Sequence, residues 1–148
     1  VASHLVGVLQ TIASRGVDPL DSIVVSIPMF HAGSAHNVIP DRAELKGTLR
    51  TLKMETREFA MRRIAEVAQG VAKAFGCSIE LTFGADPYPV TANDPKAAAR
   101  FRELMKPLSG VELMPDCEPV MGGEDFAFYG QSGVAARSTA HSSRGKRR

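Results

Sequence analysis

The sequence predicts an α+β fold in which an antiparallel sheet is covered on one face by two helices. Three observations carry that prediction. Two long stretches, residues 2–15 and 55–75, return apolar side chains every three or four positions; three short stretches alternate their side chains with period two; and these arrive in the order α-β-β-α-β. The composition agrees, because 148 residues with 44% apolar and 23% charged side chains exclude a collagen, a disordered tail and a disulfide scaffold.

Each element has its own justification. Leu5, Val8, Leu9 and Ile12 make the apolar stripe of a first helix over Ala2–Arg15, and Gly16 stops it. After the D-P-L-D turn, Ile23, Val25 and Ile27 alternate with Val24 and Ser26, and the β-branched enrichment predicts a strand. The polar stretch H-A-G-S-A-H-N separates it from a second strand. There Ala43, Leu45, Gly47 and Leu49 alternate with Glu44, Lys46, Thr48 and Arg50, so the two form an antiparallel hairpin whose long connection is of the kind that carries function. Ala60, Ile64, Val67, Ala68, Val71 and Phe75 recur at helical spacing in a second helix, with Glu55 and Glu58 at its start and Gly76 at its end. Ile79, Leu81 and Phe83 then alternate with Glu80 and Thr82 as a third strand.

This string lacks only an opening strand to be β-α-β-β-α-β, the ferredoxin-like motif. A boundary is expected after residue 93. Asp94 can accept orphan amide hydrogens as an N-cap while Pro95 fits the first helical position, so a third helix is predicted from Pro95 to Lys106, burying Ala98, Phe101 and Met105. Pro107 and Gly110 end it. V-E-L-M-P-D-C-E-P-V follows as a short strand and loop, and M-G-G-E-D-F-A-F-Y resembles a loop entering a helix N-terminus.

The formal charge is only +2, from 18 basic and 16 acidic residues, but it is unevenly spread. Residues 131–148 hold Arg137, Arg144, Lys146, Arg147 and Arg148 with no acidic group, so the rest of the chain is acidic on balance. Five charges without interleaved aromatics predict a disordered or non-native end, resembling a shifted reading frame, rather than a nucleic-acid arm. No apolar run is long enough to span a bilayer, and the start has neither a basic leader nor a cleavage pattern, so a cytoplasmic protein with no membrane or nucleic-acid partner is expected. The absence of Met at position 1, within an apparent helix, predicts a true start upstream. Cys77 and Cys117, far apart and outside any C-x-x-C, are expected as two buried reduced thiols.

No set of residues has metal-ligand spacing: there is no H-x-x-x-H or H-x-D, and His31 and His36 bracket a glycine loop without an acidic residue between them. G-x-S-x-G, G-x-G-x-x-G and P-loop signatures are absent. For His31 and His36 three readings stand: a solvated or capping loop histidine, a substrate contact and a metal ligand.

The stretch F-H-A-G-S-A-H-N-V-I-P-D-R-A-E-L-K-G-T-L-R, followed at suitable distance by G-G-E-D-F-A-F, resembles the zinc-dependent amidohydrolases that include hippurate hydrolase, auxin-conjugate hydrolases and aminoacylase-type peptidases. The resemblance covers residues 1–130 and is strongest to the hippurate hydrolase branch. It implies a lid (dimerisation) domain over residues 1–93, truncated at its start, then at 94–130 part of an α/β catalytic domain, with 131–148 as the unmatched tail. It also implies two divalent metal ions, zinc foremost, on ligands outside this chain, a small-molecule N-acyl amino acid as substrate, and a homodimer formed through the lid. On this resemblance Asn37 and Arg50 bind the carboxylate of the amino-acid half, often in the partner subunit's active site. Arg offers a planar fork for bidentate binding and Asn a further donor. A left-handed turn residue for Asn37 and a surface ion pair for Arg50 are the plain alternatives. Gly123 and Glu124 either enter the substrate site or start a helix. The chain alone is expected to be inactive. A different class of reading, a stand-alone ferredoxin-like binding or oligomerisation module, is distinguished by whether an in-frame segment with H-x-H or C-x-H lies upstream.

Overall fold

The structure is a computed structural model that describes residues 1–84, 88–108, 119, 121–122 and 124–132. It divides into two compact units, Val1–Gly84 and Ala85–Arg148.

In the first unit α1 (Ala2–Arg15) leads into β1 (Ile23–Ala32), which pairs antiparallel with β2 (Ala43–Thr51) before α2 (Met54–Ala74). The stripe predicted for α1 is the one it buries: Leu5, Leu9 and Ile12 are the enclosed residues of that helix. They meet Ala60 and Ala68 of α2, and Ile23, Ile27, Leu45 and Leu49 of the hairpin close the same cluster, so both helices cover one face of the sheet. The small side chains of Ala60 and Ala68 leave room for the larger α1 side chains to pack close to the α2 backbone. His4 near the start of α1 meets Phe75 at the end of α2, ring centres 5.4 Å apart, so the helices run antiparallel.

α2 ends as its sequence indicates. Gly76 takes φ +66°, its N–H donates to the Lys73 carbonyl, and Cys77 N–H donates to the Ala72 carbonyl at 3.0 Å. This reciprocal pair closes the last turn, and a residue with a Cβ would be strained there. At the other end, Asp21 accepts from Lys53 Nζ and, at 3.1 Å, from the hydroxyl of the buried Thr56, tying the α1–β1 connection to the first turn of α2.

Several expectations are corrected. Residues 79–83 run outside any strand, and Ile79, Leu81 and Phe83 are 37–43% exposed, so the sheet among the described residues has two strands rather than the three of a ferredoxin-like layer lacking its opening one. A period-two pattern makes a segment fit for a sheet, but the ladder that defines a strand needs a neighbour. In the split β-α-β order that neighbour is the opening strand, and the described residues hold no strand before α1. Phe75 is exposed because it falls at the C-cap, beyond the last turn packed on the core. Cys77, two residues further on, is likewise exposed rather than buried, while Cys117 lies outside the described residues. The first strand runs on past Pro28 to Ala32, so His31 belongs to it and not to the loop.

The second unit contains α3 (Pro95–Met105) and α4 (Ala127–Gln131). Asp94 caps α3 as expected, its side chain accepting from Ala97 N–H at 2.7 Å with Pro95 in the first turn. Ala98, Phe101 and Met105 are half-buried, and no residue of α3 is fully enclosed. The strand expected within 111–120 lies outside the described residues apart from Pro119. No helix among the described residues is long and apolar enough to cross a membrane.

Candidate functional site

The hairpin is the element on which the sequence-predicted residues converge, and its two faces differ. Directly opposed residues share a face, so Val25 and Leu49 lie toward the helices, whereas Val24 with Arg50, Ser26 with Thr48, Met29 with Lys46, and His31 with Glu44 lie on the other side. No element of the first unit covers that second face. From Pro28 to Ala32 every residue of β1 is exposed, while Leu45 of β2 still packs against the core.

At the tip, residues 33–42 fold into a turn. His36 and Asn37 are in it and exposed. An open hollow of about 390 Å³ lies between Gly33–Ser34 and Val38–Arg42, and Ile39 beside it is 94% exposed. Arg50 sits at the opposite end of the hairpin, across from Val24. Seven steps along the strand separate it from Ala43, where the turn joins β2, roughly 23 Å at about 3.3 Å per residue. One chain therefore brings His36 and Asn37 together and keeps Arg50 apart from both.

The electrostatics of the open face are local. Lys46 Nζ and Glu44 are 2.9 Å apart, and that bond and charge hold the Glu44 carboxyl below its ordinary range, with the nearby His31 adding to the effect. Arg50 also makes an interaction within the chain. Glu124 is exposed in the second unit, where its backbone carbonyl accepts from Ala127 N–H at 3.3 Å at the start of α4; Gly123 lies outside the described residues. Among the described residues no three of His, Cys, Asp and Glu converge to hold a metal ion, so the described side chains do not by themselves form the metal site that the resemblance implies.

One feature of the site escaped the sequence reading. Ile27 and Pro28 together oppose Gly47, a β-bulge between the Ser26–Thr48 and Met29–Lys46 pairs. Its signal was available, since Pro inside a β-branched run and Gly inside an alternating one both mark irregular pairing.

The family model described as Peptidase family M20/M25/M40 matches residues 4–143. The chain belongs to that family. Among relatives, the N-acetyldiaminopimelate deacetylase of Streptococcus sanguinis is 39% identical over 127 residues, which are 86% of this chain and 33% of that protein. The deacetylase of the same name from Halalkalibacterium halodurans is 38% identical over 128 residues, 86% of this chain and 34% of its own length. A crystal structure of a protein named as an aminohydrolase, from methicillin resistant Staphylococcus aureus, superposes with a TM-score of 0.73 at 30% identity, covering 90% of this chain and 34% of that one. The chain thus spans about one third of the length of these M20-family relatives. The family match continues through residues that the sequence reading set apart as a tail beyond 130.

Proposed function

We propose that this chain is part of a metal-dependent amidohydrolase that hydrolyses the amide bond of an N-acyl amino acid. Its own share is to bind the carboxylate of the amino-acid half and to pair two lids in a homodimer. Family membership supports the reaction class. The observation that carries the rest is the hairpin, which presents Asn37 at an exposed tip and Arg50 on an uncovered face at its other end.

A guanidinium is always charged and offers parallel N–H donors, which suits a carboxylate, while the Asn amide can donate to the same group or to a carbonyl oxygen. The distance between them exceeds the length of a small N-acyl amino acid. A site using both residues therefore draws Arg50 from one subunit and the turn from the other, which makes the homodimer part of the site rather than an accessory. Residues 1–93 form the lid in this reading, and 94–130, with Gly123 and Glu124, return to the catalytic domain. The relatives' name points to an acetyl group on a diamino dicarboxylic acid, whereas the hippurate-like motifs point to an aromatic acyl group.

The whole enzyme containing this chain tests the reading. N-acetyldiaminopimelate and hippurate are supplied in parallel and the released amine is measured, with and without a chelator. Hydrolysis of at least one, lost on chelation and restored by zinc, is expected. Mixing subunits of the impaired Asn37→Ala and Arg50→Ala dimers should then restore about a quarter of wild-type activity at low substrate concentration, because half of the dimers are mixed and each has one intact site. No recovery on mixing places both residues in one subunit's site or in none. No hydrolysis of either compound returns the chain to the binding-module reading.

A further inference from the structure

We infer that the bulge formed by Ile27 and Pro28 against Gly47 aims the hairpin tip, and that Gly47 is a positioning residue for the substrate site the tip serves. The inference rests on the proposed function for its substrate and on the strand register for its geometry. Ser26 pairs with Thr48 and Met29 with Lys46, so β1 spends two residues where β2 spends one. Because the pairs on either side keep matching faces, the extra residue does not turn the tip over. What a bulge changes is bend and twist, and with them the direction of everything beyond it.

Two features hold the irregularity in place, and a third, its position, gives it leverage. Pro28 has no N–H to give to a ladder, a defect in a regular pair and none at a bulge. Gly47 has no Cβ; one built there would run into the Ser26 carbonyl oxygen and lie 3.5 Å from Ile27 Cα, all backbone that cannot rotate aside. The position is the third. Before the bulge Ile23 and Leu49 are packed on the core, Ile27 within it packs there too, and just past it Leu45 makes the hairpin's last core contact, opposite the exposed Phe30. Met29 to Ala32 are exposed and the turn with His36 and Asn37 follows. The bend falls beside the hairpin's last core contacts, Ile27 and Leu45, so an angular change there is carried to the whole tip beyond them.

The test uses the whole enzyme and reads melting temperature together with KM and kcat on the N-acyl amino acid it cleaves. Deleting Pro28 equalises the two strands, so the fold should hold while KM rises about tenfold or more, the loss of one substrate contact. Pro28→Ala keeps the extra residue and should keep both values. Gly47→Ala should lower the melting temperature and raise KM. Combined with the deletion, where a regular pair accepts Ala, it should regain the melting temperature and leave KM high. A deletion variant with wild-type KM overturns the inference. If that variant does not fold, Gly47→Ala decides alone: a raised KM supports positioning, and a lowered melting temperature with unchanged KM overturns it. A wild-type enzyme inactive on both candidate substrates overturns the proposed function and this inference with it, whereas an active one indifferent to the deletion overturns the inference only.

Discussion

The two faces of the β1–β2 hairpin come from the same alternating residues and do opposite work. Toward α1 and α2, Ile23, Ile27, Leu45 and Leu49 close a core around Leu5, Leu9 and Ile12. Away from them, His31, Glu44, Lys46, Thr48 and Arg50 share a face that no element of the first unit covers. Burying one face fixes the register, because a slip of one residue would exchange the two sets. The apolar face thus determines where the polar one places its charges. Stability should respond to changes on the covered face and ligand binding to changes on the open one.

The largest break of this contrast is Ile12→Ala. Ile12 is 2% exposed, and truncating a side chain so enclosed costs about 2–5 kcal/mol. Urea unfolding should show a lower midpoint, and a variant as stable as the wild type would remove α1 from the core argument.

Arg50→Ala sharpens the comparison from the other side. In a whole enzyme carrying this segment, losing a charge-assisted, partly desolvated pair should cost about 1.5–3 kcal/mol, roughly 10- to 150-fold in affinity for the acid substrate. The amide of the same substrate should be nearly unaffected, Lys should recover only part of the loss, and metal content should stay normal. Equal losses on acid and amide would return Arg50 to a structural role.

A smaller effect is expected in the second unit. Asp94→Ala removes the acceptor of the Ala97 N–H and should cost about 0.5–2 kcal/mol, the usual worth of an N-cap. Hydrogen exchange should accelerate in the first turn of α3. Faster exchange along α1 and α2 would show instead that the two units unfold together.

The smallest effect is one of pH. The hydrogen bond from Lys53 holds the Asp21 carboxyl below its ordinary value of 3.8, and Lys53 is raised above its ordinary 10.5 by the same partner. A depressed acid stabilises the fold above its unfolded value, and that contribution is lost as pH falls through its folded value. The raised Lys contributes fully below its unfolded value and loses its contribution as pH rises through the folded one. Asp21→Asn should therefore lower the melting temperature slightly at about pH 7 and converge with wild type as acid titrates the carboxyl in both folded and unfolded chains. A constant difference across that range would assign the loss to the Thr56 hydrogen bond rather than to charge.

Much of the first unit was legible from residue order alone. The stripe Leu5, Leu9, Ile12 and the Gly76 stop needed no partner to be recognised, because a helix makes its hydrogen bonds within its own segment. Asp94–Pro95 was legible for the same reason, since a cap and its amide lie three residues apart. The open face was legible too, as Glu44, Lys46, Thr48 and Arg50 share one side of any strand.

What only the tertiary structure decided depends on a neighbour. Residues 79–83 have strand periodicity and no ladder, because pairing is a property of two segments and not of one. Phe75 counts as apolar in any helical stripe, yet the end of the core leaves it outside. The bulge at Ile27–Pro28 exists only through its register against β2. Asn37 and Arg50 are close in sequence and end up at opposite ends of the hairpin, since an extended strand turns thirteen positions of separation into distance where a helix would have folded them together. Residue types set what each group can bind; the pairing of distant segments set which of them can bind together.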